Sequence, residues 1–228
     1  MVDAMSEVRA ILLDLDGTIA DSIDFFCGLS GEVLSAAGIS LPGRAALVEA
    51  IAFGIPPASR FLPADYPDRE AFLLRLYEAR WPEWIQRYGS EVKPLPGACE
   101  AVAALAGRGV PIGLVTSSAG ELPFLERWGI RRHFAIVVSR DAVRRVKPDP
   151  EPLLTALEGL GVAAVDAVSV GDTPVDVRAG RAAGVRTVGV LTGAGTAAQL
   201  RAEGVEAILT SIAELPRYLD DGRHGESA

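Results

Sequence analysis

Lysine is nearly missing from this chain of 228 residues: of its 22 basic side chains only Lys93 and Lys147 are lysine, and the rest are arginine. Positive charge is also outnumbered, because 30 acidic side chains leave a formal charge of −8. That balance speaks against nucleic acid or an anionic membrane surface as a general partner, since both are held by fields of positive charge. An anionic substrate would need positive charge supplied locally. Cysteine is scarce too. Cys27 and Cys99 lie in apolar, helix-like contexts and read as buried free thiols, which suits a reducing cytoplasm. Long apolar runs are lacking: Asp14 and Asp16 interrupt the one N-terminal stretch that could serve as a signal segment, and nothing reaches membrane-spanning length. The expectation is a soluble, cytoplasmic protein with no membrane partner.

What is present is ample apolar content, 49%, enough for one generous domain or a core with a smaller insert. Short β-branched runs at 8–13, 110–116, 134–139, 167–171, 185–191 and 207–210 read as strands. Helical patterns at 99–106, 122–128, 152–160, 175–183 and 197–202 fall between them, and glycines at 109, 129, 161, 184 and 204 stand where left-handed C-caps belong. Apolar strands alternating with helices predict an α/β fold, a Rossmann-like parallel sheet covered on both faces. Such sheets place ligands at the C-terminal ends of their strands.

Residues 22–92 break this alternation. Ile23, Phe26, Cys27, Ser30, Val33, Leu34 and Ala37 recur at helical spacing up to Gly38, a second helical stretch covers 45–53, and a third covers 69–87 with Pro82 expected to kink or split it. The predicted organisation is a catalytic core of residues 1–21 and 93–228, with a helical cap, 22–92, inserted over the C-terminal end of the first strand. The tail from Asp220 is expected to be disordered.

Four motifs fall at predicted strand ends. Asp14-Leu15-Asp16-Gly17-Thr18 closes the first strand with two carboxylates that extended geometry would point the same way. They repel one another and invite a cation, although a plain Asp-Gly turn has the same letters. Thr116-Ser117-Ser118 offers hydroxyls and amides to an anion, or simply an N-cap. Lys147 is held in Val146-Lys147-Pro148-Asp149-Pro150-Glu151-Pro152, where prolines stiffen the backbone around one of the two lysines; a solvated loop lysine is the plainer alternative. Gly171-Asp172-Thr173-Pro174-Val175-Asp176 adds two carboxylates across a strand-to-helix junction. They fit either the helix macrodipole or a hard-cation site. Each bland alternative is reasonable singly, but four carboxylates, a lysine and a hydroxyl cluster at one sheet edge argue together for a site.

In that order, Asp14-x-Asp16-Gly17-Thr18, Thr116, Lys147-Pro148 and Gly171-Asp172-x-x-x-Asp176 resemble the four motifs of the haloacid dehalogenase superfamily. The likeness is greatest to its phosphatases, in the phosphoglycolate phosphatase-like branch with a helical cap after motif one. The resemblance implies a Mg²⁺-dependent phosphatase acting on a small phosphorylated metabolite, phosphoglycolate or a sugar phosphate, through an aspartyl phosphate. By it Asp14 is the nucleophile and Asp16 the acid–base. It assigns Mg²⁺ to Asp14, the carbonyl of Asp16 and Asp172, with Asp176 as ligand or support. Thr116 and Lys147, with the amides of Leu15 and Ser117, would hold the phosphoryl oxygens.

Departures from the family pattern are few. Ser117 stands where the family often has Asn, and the loop 54–56 resembles a specificity loop without a recognisable substrate signature. Arg44 and Arg60 are candidates in the cap for a substrate carboxylate or second phosphate, with ordinary surface arginine the favoured reading of each. Asp16 argues against a dehalogenase, which needs no such proton donor. The absence of lysine from 22–92 argues against a phosphonate hydrolase that forms a Schiff base on its cap. A phosphosugar mutase is the enzymatic alternative, and a catalytically weak binding protein on the same fold is the non-enzymatic one.

Overall fold

A computed structural model describes residues 8–54, 56–120 and 122–224. Strand β1 (Ala10–Leu13) is buried along its whole length, and its alternation splits two cores. Ile11 and Leu13 enter a cluster with α5 (Ala98–Ala106) and α10 (Leu215–His224), while Ala10 and Leu12 enter another with α7 (Glu151–Leu160) and α8 (Pro174–Ala183). Period-two geometry thus covers both faces of the sheet. Each leucine or isoleucine so buried contributes roughly 1.5–3 kcal/mol, which offsets the cost of carboxylates buried at the strand ends.

Beside β1 lie β4 (Ile112–Val115) and β6 (Ala167–Gly171). The sheet continues through β5 (Phe134–Val138) on one side and β7 (Arg186–Val190) and β8 (Ala207–Leu209) on the other. Every pairing is parallel, in the order β5-β4-β1-β6-β7-β8. The chain therefore winds one way from β1 through β4 and β5, and the other way from β6 onward. That makes the edge around β1 the topological switch point where doubly wound sheets bind ligands. Leu13 is level with both Leu114 and Val170, so three strands end side by side.

The predicted strands and most helices stand within a residue or two of their expected limits. Gly109, Gly129, Gly161, Gly184 and Gly204 all take positive φ. Within 22–92 the helices are α1 (Ile23–Ala36), α2 (Arg44–Ala52), α3 (Pro57–Phe61) and α4 (Arg69–Glu91). Helix α3 was not foreseen. Nor does Pro82 split α4, which runs as one 23-residue helix. A two-residue antiparallel pair, β2 (Ala20–Asp21) with β3 (Lys93–Pro94), closes the base of this helical insertion.

Two expectations are corrected. Asp220 is helical rather than disordered, because Leu215 and Leu219 of α10 are buried in the core and Arg108 pairs with Asp220 at 2.6 Å; residues 225–228 lie outside the described residues. Both cysteines are free as expected, but half-buried rather than buried. Of the N-terminal stretch that Asp14 and Asp16 interrupt, residues 1–7 lie outside the described residues. Among the described residues no helix is long and apolar enough to cross a membrane.

Candidate active site

Three adjacent strands, β4, β1 and β6, deliver Thr116, Asp14 and Asp172 to one edge. The amide of Asp14 donates to Val170 at 2.9 Å, carrying the β1–β6 ladder one residue past the strand. The chain then folds back: the carbonyl of Leu15 accepts the amides of Ile19 and Ala20, both at 2.8 Å, and Gly17 takes φ +77° to allow the turn. Thr18 is buried beneath, its hydroxyl 3.5 Å from Oδ2 of Asp14.

Lys147 reaches this edge from the proline-stiffened segment before α7 and is only 8% exposed. Its ammonium donates to Oδ1 of Asp14 at 2.5 Å, to Oδ1 of Asp176 at 2.6 Å and to the carbonyl of Val115 at 3.2 Å. Those three bonds use all three of its protons. Burial alone would disfavour its charge, but Asp14 and Asp176 outweigh it and hold the ammonium protonated well above the usual lysine range. The plain solvated lysine is thereby excluded.

The carboxylates respond in the opposite sense. Burial pushes Asp14 up to about 7 against the pull of Lys147, and repulsion from Asp176 and Asp16 adds to the rise. Burial, reinforced by Asp176 and Asp14, holds Asp172 well above the usual carboxylate range. Asp176 sits in the first turn of α8 in a capping box, where its Oδ2 accepts the amide of Thr173 at 3.1 Å and the Thr173 hydroxyl at 2.5 Å. With Oδ1 on Lys147, both of its oxygens are engaged.

Asp172 differs. Its Oδ2 accepts the amide of Ala194 at 2.7 Å, whereas Oδ1 is buried with no hydrogen-bond partner among the described residues. A buried carboxylate oxygen left this way is costly, and a cation would satisfy it. Ligand atoms of Asp14, Asp172 and Asp176 lie within 4.8 Å of one another, an all-oxygen set that suits a hard cation such as Mg²⁺. The residues present fit the ion expected. The loop after β7 completes this pocket in a way not read from the sequence. Thr192 donates to the carbonyl of Gly17 at 2.7 Å, Gly195 to that of Asp172 at 3.1 Å, and any Cβ at Gly193 would overlap the Asp172 carboxylate.

The carboxylate of Asp16 is engaged by other partners. The Tyr88 hydroxyl, from the end of α4, donates to its Oδ1 at 2.5 Å, and Ser118 donates to its Oδ2 at 2.7 Å. Burial and the neighbouring Asp16 keep the Tyr88 phenol protonated well above its usual range. Its ring is set edge-on to Phe25 at 5.3 Å and tilted to Phe124 at 5.2 Å. Neither Tyr88 nor Ser118 stood out in the sequence. An extra serine beside Thr116 was the one available signal, and nothing local marks Tyr88 among the aromatics of α4.

Thr116 is buried, with its hydroxyl oxygen accepting the amide of Ser118 at 3.0 Å. Ser117 is exposed, and it is Ser118 that reaches Asp16. Leu15 is buried within the motif-one turn. Arg44 is paired with Asp24 at 2.7 Å and Arg60 with Glu49 at 3.5 Å, both as exposed contacts, which favours the surface alternative for each. Of the loop 54–56, Ile55 lies outside the described residues, while Gly54 approaches α8 so closely that a Cβ there would stand 3.1 Å from Val175.

A family model described as haloacid dehalogenase-like hydrolase matches residues 11–190. A protein named phosphoglycolate phosphatase from Xylella fastidiosa is 34% identical over 191 residues, covering 81% of each chain. Another of that name from Nitrosococcus oceani is 27% identical over 94% of this chain and 98% of its own. Among solved structures, a hydrolase from Pseudomonas syringae superposes with a TM-score of 0.78 at 25% identity, covering 93% of this chain and 98% of that one.

Proposed function

The chain belongs to the haloacid dehalogenase-like hydrolase family, and on that premise we propose that it is a cytoplasmic, Mg²⁺-dependent phosphatase of small phosphomonoesters working through an aspartyl phosphate on Asp14. The observation that carries the metal is the partnerless buried Oδ1 of Asp172 beside Asp14 and Asp176. Asp14, Asp172 and the backbone carbonyl of Asp16 would hold Mg²⁺, with Asp176 supporting through Lys147. When bound, the ion neutralises the negative charge that otherwise keeps a phosphate dianion from a carboxylate.

The chain's own residues supply the remainder. Lys147 keeps one oxygen of Asp14 paired and adds positive charge where the phosphoryl oxygens must sit. Thr116 and the amides of Leu15 and Ser117 are the further donors for those oxygens. An ionised Asp14 attacks phosphorus without a base to activate it. The new bond joins its oxygen to phosphorus, the ester bond breaks, and Asp16 gives its proton to the departing alcohol. Asp16, now ionised, takes a proton from the water that attacks the phosphoryl group, which releases phosphate and restores Asp14. The Tyr88 and Ser118 hydroxyls suit both halves of this cycle, because a hydroxyl can donate to the carboxylate and accept from the acid. Residues 22–92 act in this reading as the cap, with Tyr88 its contribution to the proton-transfer step.

Mg²⁺-dependent phosphate release from a panel of small phosphate esters, phosphoglycolate first among them, tests the reading on the intact protein and on Asp14→Asn. Turnover by the unaltered protein and its loss in the variant are expected. Full activity in Asp14→Asn would overturn the mechanism, and conversion of a hexose phosphate to its isomer without phosphate release would favour the mutase.

A further inference from the structure

A cavity of about 250 Å³ is lined by residues of the helical insertion and of the core, among them Tyr88 and Ser118, whose hydroxyls bond to Asp16. Its wall is mainly apolar: Phe25, Phe26 and Leu29 of α1 and Ile85 of α4 line it with Leu122 and Phe124 of the core, and Gln86 adds an amide. Tyr88 and Ser118 are thus shared between the cavity wall and the Asp16 carboxylate, one oxygen of which each hydroxyl holds. Arg127, exposed, is the one cation among the described lining residues, and no carboxylate lines it among them.

From this placement we infer that the cavity receives the leaving group of the substrate, and that the preferred substrates are phosphomonoesters of apolar or aromatic alcohols. The inference rests on the phosphatase reading for its account of Asp16. The group that departs must stand near the acid that protonates it, so a cavity lined by the two hydrogen-bond donors to Asp16 is where its body goes. Chemistry then selects the occupant. A two-carbon hydroxy acid would leave most of this volume unfilled, with the exposed Arg127 the one cation its carboxylate could meet among the described lining residues. A sugar would bury several hydroxyls against a wall with few donors or acceptors, each unpaired group costing about 1–3 kcal/mol. A phenyl or branched alkyl body loses nothing there and gains the transfer free energy of its surface. The rings of Phe25, Phe26, Tyr88 and Phe124, with centroids 5.2–5.8 Å apart, offer edges and faces for a further ring.

The test compares 2-phenylethyl phosphate with ethyl phosphate and phosphoglycolate, all esters of alkyl alcohols. With Mg²⁺ and the intact protein, kcat/KM for the phenylethyl ester is expected to exceed that for either small ester by at least ~10-fold, the worth of burying one ring. Leu29→Gln, which puts an amide into the cavity, should shrink that ratio severalfold. Calorimetric binding of the same three esters to Asp14→Asn with Mg²⁺ reads the preference without turnover, and the phenylethyl ester should again bind most tightly. Phosphate release with phosphoglycolate equal or preferred would overturn the subsite and leave the phosphatase reading standing. Tighter phenylethyl binding with no turnover of any ester would do the reverse.

Discussion

The hydroxyl of Tyr88 donates to Oδ1 of Asp16 at 2.5 Å across 72 residues of sequence, so a helix of the insertion holds the carboxylate that the mechanism assigns to proton transfer. Ser118 holds the other oxygen from the core. Asp16 is therefore oriented from two sides, and its direction depends on how the insertion sits on the sheet.

Tyr88→Phe removes that hydroxyl and keeps the ring packing against Phe25 and Phe124. A hydrogen bond to a charged group contributes about 1.5–3 kcal/mol, so kcat/KM for alkyl phosphates should fall at least ~10-fold. Proton donation matters little when the departing group is already a stable anion. Hydrolysis of 4-nitrophenyl phosphate should consequently change far less, whereas a purely structural role would slow both esters alike.

Lys147→Met leaves Asp14 and Asp176 buried without their shared cation. Breaking a buried pair in this way costs about 3–5 kcal/mol, readable as a lower urea midpoint for the metal-free protein. Activity should fall by ~10³ or more as the phosphoryl group loses its fixed positive partner. A variant as stable as the parent would contradict the buried geometry.

The pH dependence of the metal-free protein follows from the carboxylates. Asp14 titrates at about 7 in the folded protein and near 3.9 when unfolded, and Asp172 is raised in the same direction. Between those values the unfolded chain has released protons that the folded chain retains, so stability is greatest below pH ~4 for these groups and declines as pH rises through about 7. Mg²⁺ binds the ionised forms, so its stabilisation should grow over the same interval. Melting temperatures measured in chelator and in Mg²⁺ from pH 5 to 8 should diverge; convergence would count against a metal at this cluster.

Gly193→Ala should weaken Mg²⁺ without unfolding the protein. The added Cβ would overlap the Asp172 carboxylate, and either that side chain or the loop after β7 must move. Magnesium titration of phosphate release is expected to show a half-saturating concentration raised ~10-fold or more, on the scale of lost metal-site support. An unchanged titration would show that the loop yields freely.

Much of this was readable along the chain because the signals are local. The β-branched run ending at Asp14, the glycines at helix ends and the prolines around Lys147 act within a few residues, and the six strands stand where their periodicity puts them. One reading failed because the deciding forces come from elsewhere. Asp220 is held by Arg108, 112 residues distant, together with the burial of Leu215 and Leu219. The arginines at 44 and 60 are paired with acidic neighbours in exposed positions, in line with the plainer reading of each as a surface side chain.

By itself the sequence determined the alternation of strands and helices, the family, and the carboxylates and lysine at the strand ends, since each is written in short-range pattern and residue type. Only the tertiary structure decided how those residues divide their contacts. Lys147 spends its protons on Asp14, Asp176 and Val115, Asp172 is left with an open oxygen, and Asp16 turns to Tyr88 and Ser118. The reason is physical: a buried polar atom must find a partner in space, and the partners here arrive from strands, loops and an inserted helix that the chain brings together only on folding.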